Sequence, residues 1–159
     1  MGYLTKLPHS GVRICFDVGQ VRVGVAKCDR DQIMAVPVMT LRMDEAIQAS
    51  VDQLITEIEP SAIYIGLPIN LNAQNTQSTE HAIEFAKRLA QLPSVLDRGI
   101  SLRLVDERLS TSSALGSLRA SGKSAKESKE IVDQAAATEI LELALAVEKR
   151  TSALAGTEI

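Results

Sequence analysis

The stretch ICFDVGQVRVGVA, Ile14 to Ala26, narrows the possible folds more than any other part of the chain. Val12, Ile14, Phe16 and Val18 alternate with other residues, Gly19 interrupts, and a second apolar run, VRVGVAKC, resumes almost at once. A period of two, a glycine turn and a second run are what two antiparallel strands require. The pattern leaves Asp17 unexplained, a single carboxylate near the end of the first strand. Such an acid either shapes the turn, as Asp ahead of glycine often does, or holds something charged.

A turn at RDQ leads into IMAVPVMTL, read as a third strand in which Pro37 suits an edge or a bulge. From Asp44, read as the N-cap, Ala46, Ile47, Val51, Leu54, Ile55 and Ile58 follow helical spacing as far as Pro60. AIYIGLP, residues 62 to 68, is nearly continuous in apolar residues, as in a strand covered on both faces. A polar loop, INLNAQNTQ, precedes a helix carrying Ala82, Ile83, Phe85, Ala86, Leu89 and Ala90, and the alternating SLRLVDE then ends on acids. Ser110 and Thr111 open a short helix, SGKSAKESKE reads as a connection, and a last helix runs from about Ile131 to Lys149. Its apolar stripe is Val132, Ala136, Ile140, Leu143, Ala144 and Val147. Three strands followed by alternating helix and strand predict an α/β fold, a five-stranded mixed sheet in the order 3-2-1-4-5 with helices on both faces. Ligands of such sheets gather at the carboxyl ends of the parallel strands. Asp17, the segment from Gly66 to Asn70, and Asp106 with Glu107 all fall there.

The reading gives one domain over residues 11–150, a flexible extension at 1–10 and a flexible tail at 151–159. With 3% aromatic residues there is little material for base-stacking platforms, and a net charge of -3 denies the chain a broad basic footprint. A polyanion must therefore be met by local positive charge. Cys15 and Cys28 lie in apolar runs without a C-x-x-C and read as buried free thiols. MGYLTKLPHSG lacks the apolar core of a secretion signal, and no run approaches the roughly 18 apolar residues of a membrane span. The expectation is a cytoplasmic protein with no membrane association.

Three acidic points stand out: Asp17, the Asp106–Glu107 pair and Asp133. Carboxylates gathered together repel, and a divalent cation offsets the cost. Mg²⁺ held by a few carboxylates keeps positions open for water and phosphate oxygens. Each acid also has a plainer reading. Asp17 can serve its turn, Asp133 in the first turn of the last helix can complement the dipole, and an acid of DER can pair with Arg108 or Arg103. Alternation sends Asp106 and Glu107 to opposite faces, so only one is a ligand. His9 and His81 lack metal-ligand spacing and read as surface residues.

FDVGQVRVGVA, YIGLPIN, LVDERLST and VDQAAATEILELAL resemble, in order and spacing, the four sequence blocks of the YqgF family, Holliday-junction-resolvase-like nucleases of bacteria. The resemblance spans about residues 11 to 148. It implies an RNase H-like fold and a hydrolase that cuts structured nucleic acid with Mg²⁺ or Mn²⁺, trimming the 5′ end of pre-16S rRNA. Branched DNA is the alternative substrate, and a non-catalytic RNA-binding protein on the same fold is the alternative without chemistry. Asp17, Glu107 and Asp133 are implied as the catalytic, metal-holding acids, with Asp106 as the alternative to Glu107. Arg22 and Arg108 are candidates for clamping phosphate oxygens, and Ser110 and Thr111 open a helix whose N-terminus favours an anion. Arg108 can equally pair within DER. Gln20-Val21 stands where the family has Thr-Lys, and GLPINLNAQN lacks the family's glycine.

Lys123, Lys126 and Lys129, interrupted by Glu127 and Glu130, form either a secondary contact or a solvated connection. Ala136 and Ala137 are small enough to let their helix approach the sheet. DVGQVRVGVA is also similar to the first phosphate loop of actin-like ATPases, which need a duplicated domain that this length does not supply. The protein is expected to act as a monomer or homodimer.

Overall fold

A computed structural model describes residues 10–69, 72, 74–107 and 125–159, with side chains of the last stretch from Lys129 onward. Strands β1 (Arg13–Val18) and β2 (Arg22–Cys28) form the expected antiparallel hairpin. Its turn is tight: the Gly19 N–H donates to the Arg22 carbonyl at 2.8 Å, and a Cβ on Gly19 would stand 2.7 Å from that oxygen. Strand β3 (Ala35–Arg42) is the edge, with a bulge where Val25 faces Met39 and Ala26 faces Pro37. A proline is tolerated there because it has no ladder donor to lose.

Helix α1 (Ile47–Ile58) is capped by Ala46, not by Asp44. The Asp44 carboxylate instead accepts from the Ala46 N–H at 2.9 Å, forming the turn before the helix. Strand β4 (Ala62–Leu67) lies parallel to β1; after α2 (Gln77–Ala90) and the short α3 (Pro93–Leu96), β5 (Ser101–Asp106) lies parallel to β4. Helix α4 (Ala125–Thr151) and a short β6 (Thr157–Glu158) complete the described elements.

The sheet order is β3-β2-β1-β4-β5-β6, so the sheet has six strands where five were expected. The sixth comes from the segment read as a tail. It pairs antiparallel with β5, and the Gly156 φ of 69° allows the turn that seats it. Two exposed residues carry no apolar alternation, so nothing in their sequence announces a strand.

Helices cover both faces, as expected. On one, Ile14, Phe16, Val25, Ile63 and Ile65 pack with Val51, Ile55, Phe85 and Leu89 of α1 and α2. On the other, Cys15, Ala26, Tyr64 and Val105 pack against Ala137, Ile140, Leu141, Ala144 and Leu145 of α4. Strand alternation therefore turns Asp17, two residues after Cys15, toward α4.

Two expectations for α4 need correction. The helix starts at Ala125, so part of the supposed connection is helical. Its buried stripe is also rotated, through Ala137, Leu141 and Leu145, while Val132, Ala136, Leu143 and Val147 are only partly covered. The stripe continues into Glu148, which hydropathy would assign to solvent. Arg13, wholly buried on β1, grips Glu148 through Nη2 at 2.8 Å and Nε at 3.1 Å, and the Tyr64 hydroxyl donates to the same carboxylate at 2.7 Å. Such a forked pair holds geometry where isolated charges would be costly. It fastens α4 to β1 and β4 at the end of the strands opposite Asp17. Among the described residues, no helix is long and apolar enough to cross a membrane.

Candidate active site

In the sheet Asp17 has a glycine on either side. Gly24 of β2 is its cross-strand partner, and Gly66 of β4 lies one step beyond the Phe16–Ile65 pair. The sheet beside Asp17 is therefore a bare floor on the α4 side, and two groups use it. A Cβ on Gly66 would stand 2.4 Å from the Glu107 Oε1, so the Glu107 carboxylate lies directly on that glycine. A Cβ on Gly24 would stand 2.0 Å from the Asp133 carbonyl oxygen, so the α4 backbone rests on β2 at this residue.

The Asp17 and Glu107 side chains share a hydrogen bond. Burial and the neighbouring Asp133 charge push Asp17 up to about 6. Burial, the negative charge of Asp17 and the bond to it push Glu107 up to about 8. A hydrogen bond between two carboxyls needs a proton on one of them, and the pair titrates as a unit. Cys15 lies beneath: burial, reinforced by both acids, pushes its thiol well up, which keeps it protonated and inert.

Asp106 faces away from this floor, because Val105 packs on α4 and alternation returns Glu107, not Asp106, to that side. Asp133 is more than two turns inside α4, which removes the helix-dipole explanation for it. Its Oδ2 accepts from the Arg22 Nε at 2.9 Å, and both side chains are partly exposed. Arg22, expected on phosphate, is thus held at the site by Asp133.

Among the described residues no three acidic, histidine or cysteine side chains stand close enough to hold an ion together. The chain brings two acids into contact and engages the third with an arginine. Arg108, Ser110, Thr111 and His9 lie outside the described residues, as do the side chains of Lys123 and Lys126. His81 Nε2 meets the Gly19 carbonyl at 3.2 Å and must carry the proton there, a surface role supporting the turn.

The pair suits a hard cation on its own chemistry. Every donor is a carboxylate oxygen, both groups resist ionising together, and the space over Gly66 is kept open for one of them. Gly66→Ala tests the cradle. The new methyl would displace Glu107 and touch Ile140 Cδ1 at 2.8 Å, so turnover should fall roughly tenfold or more while the fold survives at a cost of about 1–2 kcal/mol. Initial rates and thermal melting of the variant check this.

Residues 11–147 match the model of a family described as "RuvX: Holliday junction resolvase". The chain belongs to the RuvX family. Relatives carrying the name "Putative pre-16S rRNA nuclease" include one from Leifsonia xyli subsp. xyli, 44% identical over 146 residues, 91% of either chain. Another, from Corynebacterium glutamicum, is 40% identical over 154 residues, 92% of this chain and 84% of its own. Among solved structures, Thermus thermophilus RuvC in complex with a Holliday junction substrate superposes with a TM-score of 0.58 at 13% identity, covering 93% of this chain and 99% of that one. The RuvC structure alone gives a TM-score of 0.52 at 12% identity. At such identity the likeness is one of fold, and the fold is RNase H-like, as the YqgF resemblance implied.

Two residues of this RuvX site escaped the sequence reading as functional elements, Gly24 and the cradle role of Gly66. An isolated glycine inside a strand pattern is the signal that marks a close approach. The Arg22–Asp133 pair spans 111 positions and leaves no local pattern.

Proposed function

We propose that this RuvX chain is a divalent-metal-dependent endonuclease on structured nucleic acid, with the 5′ region of pre-16S rRNA as substrate. Asp17 and Glu107 are the core ligands for Mg²⁺ or Mn²⁺, and Asp133 is the third acid. The observation that carries this reading is the Asp17–Glu107 contact over a glycine floor, at the carboxyl ends of the parallel strands. The names of the relatives support the substrate.

The bound ion would supply charge neutralisation on the scissile phosphate and a water acidic enough to attack at neutral pH. The remaining work belongs to the chain. Asp17 sits on a strand paired on both sides, which fixes its backbone. Asp133 takes the Arg22 Nε, leaving the guanidinium's two amino groups to donate to a phosphate oxygen.

Branched DNA is the second reading, supported by the family's description as a Holliday junction resolvase. Purified protein with Mg²⁺ or Mn²⁺ should be incubated with a 5′-extended 16S rRNA precursor, a four-way DNA junction and an unstructured single strand. Endonucleolytic cuts in the precursor are expected. Preferential cutting of the junction would move the substrate to DNA on the same site. Cleavage of neither by folded protein would overturn the reading in favour of an RNA-binding protein without chemistry.

A further inference from the structure

Beside Arg22, on the side away from Asp17, lies a hollow of about 610 Å³ between the start of β2, the end of β3 and α4. We propose that it is a second phosphate subsite, in which Arg42 and Lys129 hold a backbone phosphate flanking the one that is cut. The inference rests on the nuclease reading and deepens it.

The argument starts from a cost. Arg22 and Arg42 are direct cross-strand partners, and paired residues of antiparallel strands project to the same face. Two like charges so placed repel each other and weaken the pairing of their strands. Lys129 lines the same hollow from α4 and adds a third positive charge. Against these stand the Asp133 carboxylate, which answers Arg22, and Glu130, the acid of the lining. In a chain of net charge -3 this is a local positive excess, where a polyanion can be met.

The arrangement is fixed by the fold. Thr40 donates to the Glu130 carbonyl at 3.0 Å and accepts from Gln134 Nε2 at 3.1 Å, mooring α4 to β3 next to Lys129. The Met43 N–H donates to the Val21 carbonyl at 2.8 Å, holding the end of β3 against the turn that carries Arg22. Val21, 55% exposed, gives the hollow an apolar wall suited to a sugar or base face. Arg22 lines the hollow and also reaches Asp133, so the two sites are continuous. A planar guanidinium from Arg42 with an ammonium from Lys129 suits one phosphodiester.

The test uses anisotropy of a labelled RNA hairpin binding the cleavage-deficient Asp17→Asn protein, with and without Arg42→Ala and Lys129→Ala. With both added, affinity should drop roughly tenfold and the slope of log K against log salt should shrink by about 1 to 2. In the active background the loss should appear in KM, with kcat changed far less, and Arg42→Lys with Lys129→Arg should restore most of it. Both side chains are exposed, so the melting temperature should hold. If Asp17→Asn binds the hairpin and the wild type cleaves, but adding Arg42→Ala and Lys129→Ala leaves affinity and salt slope unchanged, the subsite is overturned and the nuclease reading stands. A loss confined to kcat would also overturn it. If Asp17→Asn does not bind and the wild type does not cleave nucleic acid, both fall.

Discussion

Asp17→Asn and Glu107→Gln should each lower cleavage by roughly a thousandfold or more, the scale expected when a group acting on the transition state is lost. Neither should unfold the protein. Each replacement removes one of two acids that burial holds above their ordinary values, helped at Glu107 by the Asp17 charge and at Asp17 by the Asp133 charge, so the variants should melt at or above the wild-type temperature. That opposite movement of activity and stability separates a functional acid from a structural one. Asp133→Asn should cost less, because it loosens Arg22 but leaves the Asp17–Glu107 contact in place. Initial rates at saturating Mg²⁺ beside thermal melts read out all three. An activity loss that merely follows a falling melting temperature would remove Asp17 and Glu107 from the chemistry.

Gly24→Ala should be the most disruptive small change near the site. The added methyl would meet the Asp133 carbonyl carbon at 2.4 Å as well as its oxygen, and both are backbone atoms of a long helix. A flexible side chain could swing aside; here α4 must lift from β2 or the strand must bend. Overpacking of this kind costs about 3 kcal/mol, or roughly 6–12 °C in melting temperature for a domain of this size. The helix carries Asp133, and with it the hold on Arg22, so cleavage by the folded fraction should fall as well. Denaturant midpoints and rates below the transition distinguish the two effects. A variant with wild-type stability and rate would mean that the helix does not rest on Gly24.

The order of the first five strands was legible because Ile14, Phe16 and Val18 alternate and AIYIGL does not, which tells a hairpin from a strand buried on both faces. Asp17 was visible as an acid near a strand end, and a period of two set Asp106 and Glu107 on opposite faces without choosing between them; the YqgF resemblance favoured Glu107, the one that the packing of Val105 turns toward α4. What escaped depends on contacts between distant parts of the chain. Glu148 is buried only because Arg13 and Tyr64 wait for it, and no hydropathy pattern records partners far away in sequence. The same pairing turns α4 so that Ala137, not Ala136, meets the sheet. Asp133 looked like a first-turn acid because the polar residues before it masked six helical positions from Ala125. β6 has no signal of its own beyond Gly156.

Protonation links these observations. Both acids are raised in the folded chain, Asp17 to about 6 and Glu107 to about 8, so the folded state keeps protons that the unfolded state has released. The stability this pair contributes to the metal-free protein should therefore be fully present below the ordinary carboxylate range and be lost as pH rises through about 6 to about 8. Divalent ions compete with the same proton, so their affinity should rise over that window.

Calorimetric titration of Mg²⁺ into the protein at pH 7, in buffers of differing ionisation enthalpy, counts the protons released. Wild type should release about one proton per ion bound, and the Asp17→Asn/Glu107→Gln double variant should neither bind the ion at that site nor release a proton. Ion binding by wild type without proton release, or identical titrations of the two proteins, would contradict the view that a cation replaces the proton between these acids.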